Sequence, residues 1–343
     1  MKYSVIVPVY NRPDEVKELL ESLRQQSFRD FEVLLVEDGS SLPCKEVADS
    51  FGAALDIKYF FKENSGPGPS RNYGARRAEG RWLIILDSDV MVPPGYFESI
   101  EASLAQEDCD AFGGPDRAHA SFTPVQKAIN YAMTSFFTTG GIRGGKVKMD
   151  KFFPRSFNLG IKAGVFEALG GFSAMRFGED IDLSMRIFEG GYRCRLIPDA
   201  WVWHKRRTNL KRFFKQVHNS GIARINLSRL HPGSLKLVHL LPAAFTVGTI
   251  GLLCILVPLL LIFTHLPWWA SVIIGLSPLL LWSLAIWADS AIKNRSPRIG
   301  LLSIAASFIQ LTGYGTGFLR AGWHLLLHRH TQAPQAFRDN FYK

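Results

Sequence analysis

The sequence predicts an α/β domain with a mostly parallel sheet, followed by an all-α transmembrane region. Over about the first 200 residues, short apolar runs rich in Val and Ile alternate with segments whose apolar residues recur at helical spacing. Three long, uncharged apolar segments then occupy the C-terminal third. The chain of 343 residues is 47% hydrophobic and has a formal net charge of +10, as expected for a soluble domain joined to membrane segments with basic flanks.

The strands and helices of the first part alternate regularly. The first strand spans residues 3–9, and a helix follows through residue 25, because Pro13 suits a first helical turn and apolar residues then recur at helical spacing. This alternation predicts a doubly wound sheet with right-handed crossovers. Further strands are predicted at residues 31–36, 57–61 and 82–86, with helices at 45–51 and up to residue 77 between them, and an edge strand at 192–197.

Polar residues follow several of these strands directly. Asp87-Ser88-Asp89 ends the buried run at residues 82–86, and Glu37-Asp38 ends the second strand. In a parallel sheet such strand ends meet at one edge, where α/β proteins bind ligands. Paired carboxylates offer hard oxygen ligands for a divalent cation that bridges substrate phosphates. An isolated Asp-x-Asp is also a common polar turn, but the repetition favours a site that includes four loop residues: Asn11, Asp38, Arg71 and Asp87.

Several other classes of protein are disfavoured. No GxGxxG motif follows the first strand, no GxxxxGK[ST] occurs, and the glycine-rich residues 140–145 lie outside a strand-to-helix turn. Nucleic acid is not expected as a partner, because the basic residues do not form an aromatic-interleaved groove and concentrate before the apolar C-terminal third. The four cysteines lack ligand or redox spacing, which weakly indicates a reducing compartment. Met1-Lys2 leads directly into the first strand, so we expect no signal peptide and a cytosolic N-terminal domain.

Five motifs in order resemble the family 2 glycosyltransferases, whose catalytic domain has the GT-A (nucleotide-diphospho-sugar transferase) fold. They are SVIVPVYNR, VLLVEDGSS, SGPGPSRNYGARRAEG, LDSDV, and GGF with GED, and the resemblance covers about residues 1–205. It implies inverting transfer of a sugar from a UDP- or GDP-linked donor, with Mg²⁺ or Mn²⁺ at the Asp-x-Asp pair. By motif position, the nucleotide sugar would contact Pro8, Asn11, Asp38, Arg71, Asp87 and Ser88, and Asp87 and Asp89 would hold the metal.

The second part of the predicted site is an acidic helix start. Inversion by direct displacement needs a general base opposite the leaving diphosphate, hence a carboxylate from outside the nucleotide-binding half. Gly178-Glu179-Asp180 opens an apparent helix after the turn at residues 170–172. Acids at a helix start also have a simpler explanation, since they complement the helix dipole. The resemblance implies that Asp180 is the catalytic base and Glu179 its neighbour in the acceptor site.

We therefore predict a GT-A catalytic domain at residues 1–205, divided into a nucleotide-sugar-binding half at 1–111 and an acceptor half at 112–205. His204, near the end of this domain, is either a third metal ligand or a structural residue. The stretch 112–164 is too long for a simple connection, and its Phe-rich and Gly-rich composition suits a mobile acceptor-side loop.

Basic residues dominate the sequence after residue 205. Residues 206–235 interleave Lys and Arg with Phe213, Phe214 and Val217, which predicts amphipathic helices on an anionic membrane surface. Residues 236–320 form the transmembrane region of about three helices, at 240–263, 268–288 and 299–319, before a tail at 321–343. The third segment contains several glycines and either crosses the membrane or is re-entrant, and we favour crossing. The basic helix before the first segment and the basic residues Lys293, Arg295 and Arg298 before the third predict, by the positive-inside rule, a multi-pass protein of a bacterial-type inner (plasma) membrane with a cytosolic catalytic domain. The basic tail also prefers the cytosolic side, so a third crossing would go against its charge.

Membrane-embedded processive synthases of the family carry a Gln-x-x-Arg-Trp motif on an interfacial helix. The corresponding stretch here, residues 216–224, lacks it, which favours transfer of a single sugar. We therefore predict a membrane-bound glycosyltransferase of cell-envelope polysaccharide biosynthesis that acts on a lipid-linked or cell-surface glycan acceptor. The alternatives are a polyprenyl-phosphate sugar synthase and, in a different class, a catalytically inert membrane scaffold.

Overall fold

The structure is a computed structural model and describes residues 1–117, 119, 121–139, 152–205 and 209–327. The described residues form two compact units. The first unit contains residues up to 119 together with 152–205, and the second contains 121–139 together with 209–327. The predicted glycine-rich loop at 140–145 and most of the predicted tail lie outside the described residues.

The first unit is built on a mostly parallel sheet. Its N-terminal strands are β1 (Tyr3–Val9), β2 (Phe31–Asp38), β3 (Ile57–Lys62) and β4 (Trp82–Leu86), and the helices between them are α1 (Pro13–Arg24), α2 (Lys45–Phe51) and α3 (Pro67–Ala75). β1 pairs in parallel with both β2 and β4, and β2 pairs in parallel with β3. This confirms the predicted alternation of strands and helices.

The rest of the first unit completes this sheet and adds a smaller one. It consists of β5 (Val90–Met91), α4 (Tyr96–Gln106), β6 (Ala111–Gly113), β7 (Asp116–Arg117), β8 (Asn158–Lys162), α7 (Ala163–Ala168), α8 (Glu179–Glu189), β9 (Cys194–Leu196) and β10 (Val202–His204). Two further helices, α5 (Pro124–Thr134) and α6 (Phe136–Thr139), belong to the second unit. The large sheet has the order β3-β2-β1-β4-β8-β6-β9, in which β8 is antiparallel to β4 and β6. The small sheet has the order β5-β10-β7.

Apolar side chains cover both faces of the large sheet. Alternate residues of β1 point to opposite faces, so Val5 and Val7 pack with α1 and α4, whereas Ile6 packs with Leu183 of α8. Burial of one such side chain stabilises the fold by about 1.5–3 kcal/mol. Helices on both faces therefore bury β1 as an interior strand, and the carboxyl ends of β1, β2 and β4 share one edge of the sheet.

The second unit is helical and includes a segment that the sequence analysis assigned to the acceptor half. It comprises α5 (Pro124–Thr134), α6 (Phe136–Thr139), α9 (Leu210–Leu230), a short 3-10 turn (Leu237–His239), α10 (Leu241–Gly251), a π-helical segment (Leu252–Leu256), α11 (Val257–Phe263), α12 (Trp268–Asn294) and α13 (Pro297–Leu327). Ile129 and Met133 of α5 pack with Phe213 and Val217 of α9 and with Ile299 of α13.

This packing changes the interpretation of α9. Phe213 and Val217 were predicted to face a membrane, but both are buried against protein, and Phe214 is the exposed member of that set. The apolar stripe of α9 is therefore satisfied by helix packing. Its basic residues remain available for an anionic surface, and the interfacial position of the helix stays a prediction.

Within the part of the chain that the structure describes, three helical segments are long and apolar enough to cross a membrane: Leu241–Phe263, Trp268–Asn294 and Pro297–Leu327. Their mean hydropathy falls in this order, from 2.6 to 1.9 to 1.2. The third segment is one continuous helix, with no turn in its glycine-rich half. That it crosses a membrane stays a prediction. The glycines of this segment permit close packing, since an added Cβ at Gly317 would lie 2.0 Å from the carbonyl oxygen of His218 in α9.

Candidate functional site

Arg71 lies at the centre of the candidate site. It comes from the middle of α3, and its side chain is only 3% exposed. A buried guanidinium requires charged partners. Arg71 Nη2 donates to Asp87 Oδ1 at 2.7 Å, and Nη1 donates to Glu179 Oε1 at 2.9 Å. The guanidinium also lies 5.1 Å from the centre of the Phe172 ring. Arg71 thus connects the Asp-x-Asp pair with the acidic start of α8.

The small sheet brings His204 to the Asp-x-Asp pair. His204 of β10 is the register partner of Val90, the residue that follows Asp89, and Lys205 N donates to the Asp89 carbonyl oxygen at 3.0 Å. As a result, His204 Nε2 lies 3.3 Å from Asp89 Oδ1. Ligand atoms of Asp87, Asp89 and His204 all lie within 4.8 Å of one another. The three residues predicted as metal ligands therefore come together.

The surroundings of His204 restrict its ring. The ring stacks on Phe157 with a centroid separation of 4.9 Å, and Nδ1 lies 3.8 Å from Asp116 Oδ2. A carboxylate near the distal nitrogen is a frequent companion of a metal-binding histidine, since it orients the ring. Two carboxylates and one imidazole suit Mn²⁺, and the carboxylate oxygens also suit Mg²⁺. The donor set therefore fits the divalent cation that the resemblance implies.

The Asp89 carboxylate is already ionised in this environment. Burial alone would raise the pKa of Asp89, but His204 and Arg12 together hold it well below its ordinary value. Arg12 Nη1 donates to Asp89 Oδ2, and Arg71 donates to Asp87. A deprotonated carboxylate is the form that binds a metal.

The two acids at the start of α8 have different surroundings. The buried Glu179 accepts from Arg71, yet burial outweighs that pairing and, with the nearby Asp180, raises the pKa of Glu179 to about 7. The side chain of Asp180 is 19% exposed, and its Oδ2 lies 3.4 Å from Nη1 of Arg155. Glu179 is thus engaged within the site, while Asp180 remains partly accessible.

Two residues predicted to contact the nucleotide hold loops together. Asp38 accepts hydrogen bonds from the backbone N–H groups of Ser65, at 2.9 Å, and Gly66, at 2.7 Å, and pairs with Lys62. These contacts fix the loop that precedes α3 and Arg71. The contacts of Asp38 and of Asn11 with a nucleotide stay predictions.

Asn11 connects the loops after β1 and β2. It has a positive φ of 54°, and its Oδ1 accepts from the backbone N–H of Leu42 at 2.9 Å. Pro8 lies near the carboxyl end of β1, and Ser88 is buried between the two aspartates. All of these residues lie at or near the carboxyl ends of the parallel strands, as the sequence predicts.

This set also contacts Arg12, Asp116 and Arg155, which the sequence patterns did not indicate as site residues. Arg12 adjoins Asn11 in the first motif, so its position gave a usable signal. Asp116 and Arg155 lie in segments without a readable pattern, and only the pairing of β7 with β10 and the packing near α8 bring them to the site.

Several glycosyltransferases have sequences similar to that of this chain. An uncharacterized glycosyltransferase of Rickettsia felis is 33% identical over 137 residues, which cover 40% of this chain and 22% of that protein. The pre-mycofactocin glycosyltransferase of Mycobacterium tuberculosis is 30% identical over 237 residues, which cover 67% of this chain and 48% of that protein. The chain thus spans about half of the length of the mycobacterial relative, and less of the rickettsial one.

A solved structure has the same fold. The mannosyltransferase PcManGT from Pyrobaculum calidifontis, in complex with GDP-Man and Mn²⁺, superposes with a TM-score of 0.60 at 19% identity. The match covers 91% of this chain and 87% of that one, and it confirms the GT-A fold. The sequence model of glycosyl transferase family 2 matches residues 4–177, which is half of the chain and includes Asn11, Arg71 and the Asp-x-Asp pair. The chain therefore belongs to glycosyl transferase family 2.

Proposed function

We propose that this protein is a metal-dependent, inverting glycosyltransferase of a membrane. It moves a sugar from a UDP- or GDP-linked donor to a lipid-linked or cell-surface glycan acceptor and adds one sugar at a time. The observation that carries the proposal is the contact of Arg71 with both Asp87 and Glu179. This contact supports a single site in which donor and acceptor residues act together.

On the donor side, Asp87, Asp89 and His204 hold a divalent cation, Mn²⁺ or Mg²⁺. When bound, such an ion neutralises charge on the leaving nucleoside diphosphate. The nucleotide and its ribose occupy the edge formed by the loops after β1, β2 and β4, with contacts from Pro8, Asn11, Asp38, Arg71, Asp87 and Ser88.

On the acceptor side, Asp180 takes the proton from the acceptor hydroxyl as that oxygen attacks the anomeric carbon. A general base must reach the proton that it removes, so a partly accessible carboxylate is better suited than a buried one. The side chain of Asp180 meets that requirement at 19% exposure, and Arg155 lies beside it. Glu179 stays against Arg71 and positions the start of α8.

The C-terminal helices support a membrane location. Besides their length and hydropathy, the sequence after Asp199 contains only two acidic residues, Asp289 and Asp339, among many Lys and Arg. Such a composition favours an anionic lipid surface. Lys293, Arg295 and Arg298 between the second and third segments favour the cytosolic side by the positive-inside rule. We place the catalytic domain on that side, where nucleotide sugars are made.

A transfer assay tests the proposal. The full chain in detergent or lipid nanodiscs is incubated with a panel of UDP- and GDP-sugars and with bacterial lipid extract as the acceptor source, and nucleotide release and lipid-linked product are measured. We expect release with one donor, and loss of it in EDTA and in Asp89→Ala. A polyprenyl-phosphate sugar as the product would identify the synthase alternative. An absence of release with every donor would favour the inert scaffold, and full activity in EDTA would refute metal dependence.

A further inference from the structure

Arg12, the last residue of the first motif, is a cationic partner of the Asp-x-Asp pair. Its Nη1 donates to Asp89 Oδ2, and the two side chains are 29% and 11% exposed. Arg12 lies at the N-cap of α1, directly before Pro13. Its backbone carbonyl accepts from the N–H of Val16 at 3.1 Å. The backbone is therefore fixed at the helix start, while the long side chain reaches across to Asp89.

The chain's own cations balance the charge of the Asp-x-Asp pair. Arg12 faces Asp89, and Arg71 faces Asp87, so two guanidinium groups accompany two carboxylates. Glu179 also contacts Arg71, and burial raises its pKa to about 7, so near neutral pH it adds at most one negative charge. A divalent cation entering alone would bring two positive charges into a site that already contains two guanidinium groups. Like charges repel, and the repulsion is screened less in a partly buried site than in bulk water.

The donor diphosphate removes this conflict. Its negative charges can balance a divalent cation, and guanidinium groups bind phosphate oxygens well, often through two hydrogen bonds. A guanidinium that loses Asp89 to the metal would find a diphosphate oxygen within the same small region. Arg12 has the flexible side chain and the partial exposure that such an exchange requires.

We propose that Arg12 is an internal counterion of Asp89 that makes the metal and the donor diphosphate bind cooperatively. Arg12 competes with a divalent cation for Asp89, and it moves to the diphosphate when both ligands are present. This proposal rests on the metal site of the proposed function and assigns a new residue to donor binding. By reciprocity, the nucleotide then raises the metal affinity by the same factor as the metal raises the nucleotide affinity.

The test measures metal binding directly, without catalysis. Free Mn²⁺ is quantified by electron paramagnetic resonance in titrations of the full chain in detergent, with and without UDP or GDP. The variants are Arg12→Gln, which removes the charge, and Arg12→Lys, which keeps it. The matched control is Arg24→Gln, since Arg24 lies on the same helix but is exposed and pairs with Glu21. Thermal unfolding of each variant checks that it folds.

In the absence of nucleotide, we expect Arg12→Gln to bind Mn²⁺ roughly tenfold more tightly than the wild type, because the competing cation is gone. The factor by which the nucleotide increases Mn²⁺ affinity should fall by roughly tenfold or more in the same variant. Arg12→Lys should have nearly the Mn²⁺ affinity of the wild type, and Arg24→Gln should have the same Mn²⁺ affinity as the wild type.

Two results would overturn the proposal, and they are distinguishable. Unchanged or weaker Mn²⁺ binding by Arg12→Gln without nucleotide, in a protein where Asp89→Asn still abolishes binding, would show that Arg12 only orients Asp89. In that case the metal site stands and only the counterion role fails. No Mn²⁺ binding by the wild type, with or without nucleotide, would overturn the metal site and the counterion role together.

Discussion

Arg71 Nη1 donates a hydrogen bond to Glu179 Oε1 at 2.9 Å, although 108 positions separate the two residues in the chain. The same guanidinium binds Asp87 at 2.7 Å. Because Arg71 is almost fully buried, its charge depends on both carboxylates. The contact therefore joins the end of β4 with the start of α8, and it determines how the site responds to mutation and to pH.

Arg71→Met should strongly destabilise the protein. It leaves the buried Glu179 and the partly exposed Asp87 without their shared cation, and loss of one partner from a buried ion pair typically costs about 3–5 kcal/mol. Thermal unfolding of the full chain in detergent measures the loss. The double variant Arg71→Met/Glu179→Gln should recover part of the stability, because one orphaned charge is removed. An unfolding temperature of Arg71→Met equal to that of the wild type would contradict the central role of this ion-pair network.

Asp180→Asn should reduce turnover by roughly a hundredfold or more, because the amide cannot accept the acceptor proton. Donor binding should stay nearly unchanged, since Asp180 contacts Arg155 rather than the Asp-x-Asp pair. Steady-state transfer kinetics and calorimetric titration with the donor nucleotide give the two readouts. Arg155→Lys serves as a comparison, since it keeps the positive charge. Retained turnover in Asp180→Asn would show that a group other than Asp180 acts as the general base.

The stability of the protein should depend on pH through Glu179. Its pKa rises from an ordinary 4.5 to about 7 in the folded chain, mainly because the carboxyl group is buried. Between these values the native state binds more protons than the unfolded state, so the free energy of unfolding falls as the pH rises from about 4.5 to 7. The contribution is on the order of 1–3 kcal/mol.

Comparison with Glu179→Gln isolates this contribution from other titrating groups. Unfolding temperatures of both proteins are measured in detergent at pH 5, 6, 7 and 8. The variant should gain stability relative to the wild type as the pH increases, because Gln cannot ionise. A constant difference across this range would show that Glu179 has an ordinary pKa.

Gly317→Ala should loosen the packing of α13 on α9. The added Cβ would lie 2.0 Å from the backbone carbonyl oxygen of His218, so a side-chain rearrangement cannot relieve the overlap. We expect a loss of about 1–3 kcal/mol, typical of overpacking. Gly322→Ala is the matched control on the same helix, because nothing lies within 4 Å of its Cβ, and Ala favours helices over Gly by about 1 kcal/mol. Thermal unfolding in detergent should separate the two variants in opposite directions.

Cysteine labelling tests the topology. If all three apolar segments cross, the loop at residues 264–267 and the tail both face away from the cytosol. Single cysteines at His265 and at Asn340, which lies outside the described residues, should then react with an impermeant reagent added to intact cells. The exposed Cys254 is replaced first to reduce background. Labelling of position 340 only from the cytosolic side would refute three crossings, while position 265 controls for reagent access.

Local sequence patterns determined the strands and helices of the first unit and the apolar C-terminal segments. Runs of apolar residues with period 2 or 3.6 predict the strands and helices of the first unit, because burial of one face depends on spacing along the chain. The parallel order of β1, β2 and β4 then follows from their alternation with helices, and it brings the loops around Asn11, Asp38 and Asp87 to one edge. The three C-terminal apolar segments are likewise readable from length and composition.

Tertiary structure alone decided which distant side chains meet. His204 reaches Asp89 because the very short strands β5 and β10 pair, and a strand of two or three residues has no reliable sequence signal. Residues 121–139 pack with α9 and α13 although they interrupt the catalytic unit in sequence, since apolar periodicity shows that a helix has a buried face but not which surface covers it. The same holds for two ion pairs, Arg71 with Glu179 and Arg12 with Asp89. The local sequence around a charged residue does not indicate its partner, because the partner is determined by which side chains the fold buries together.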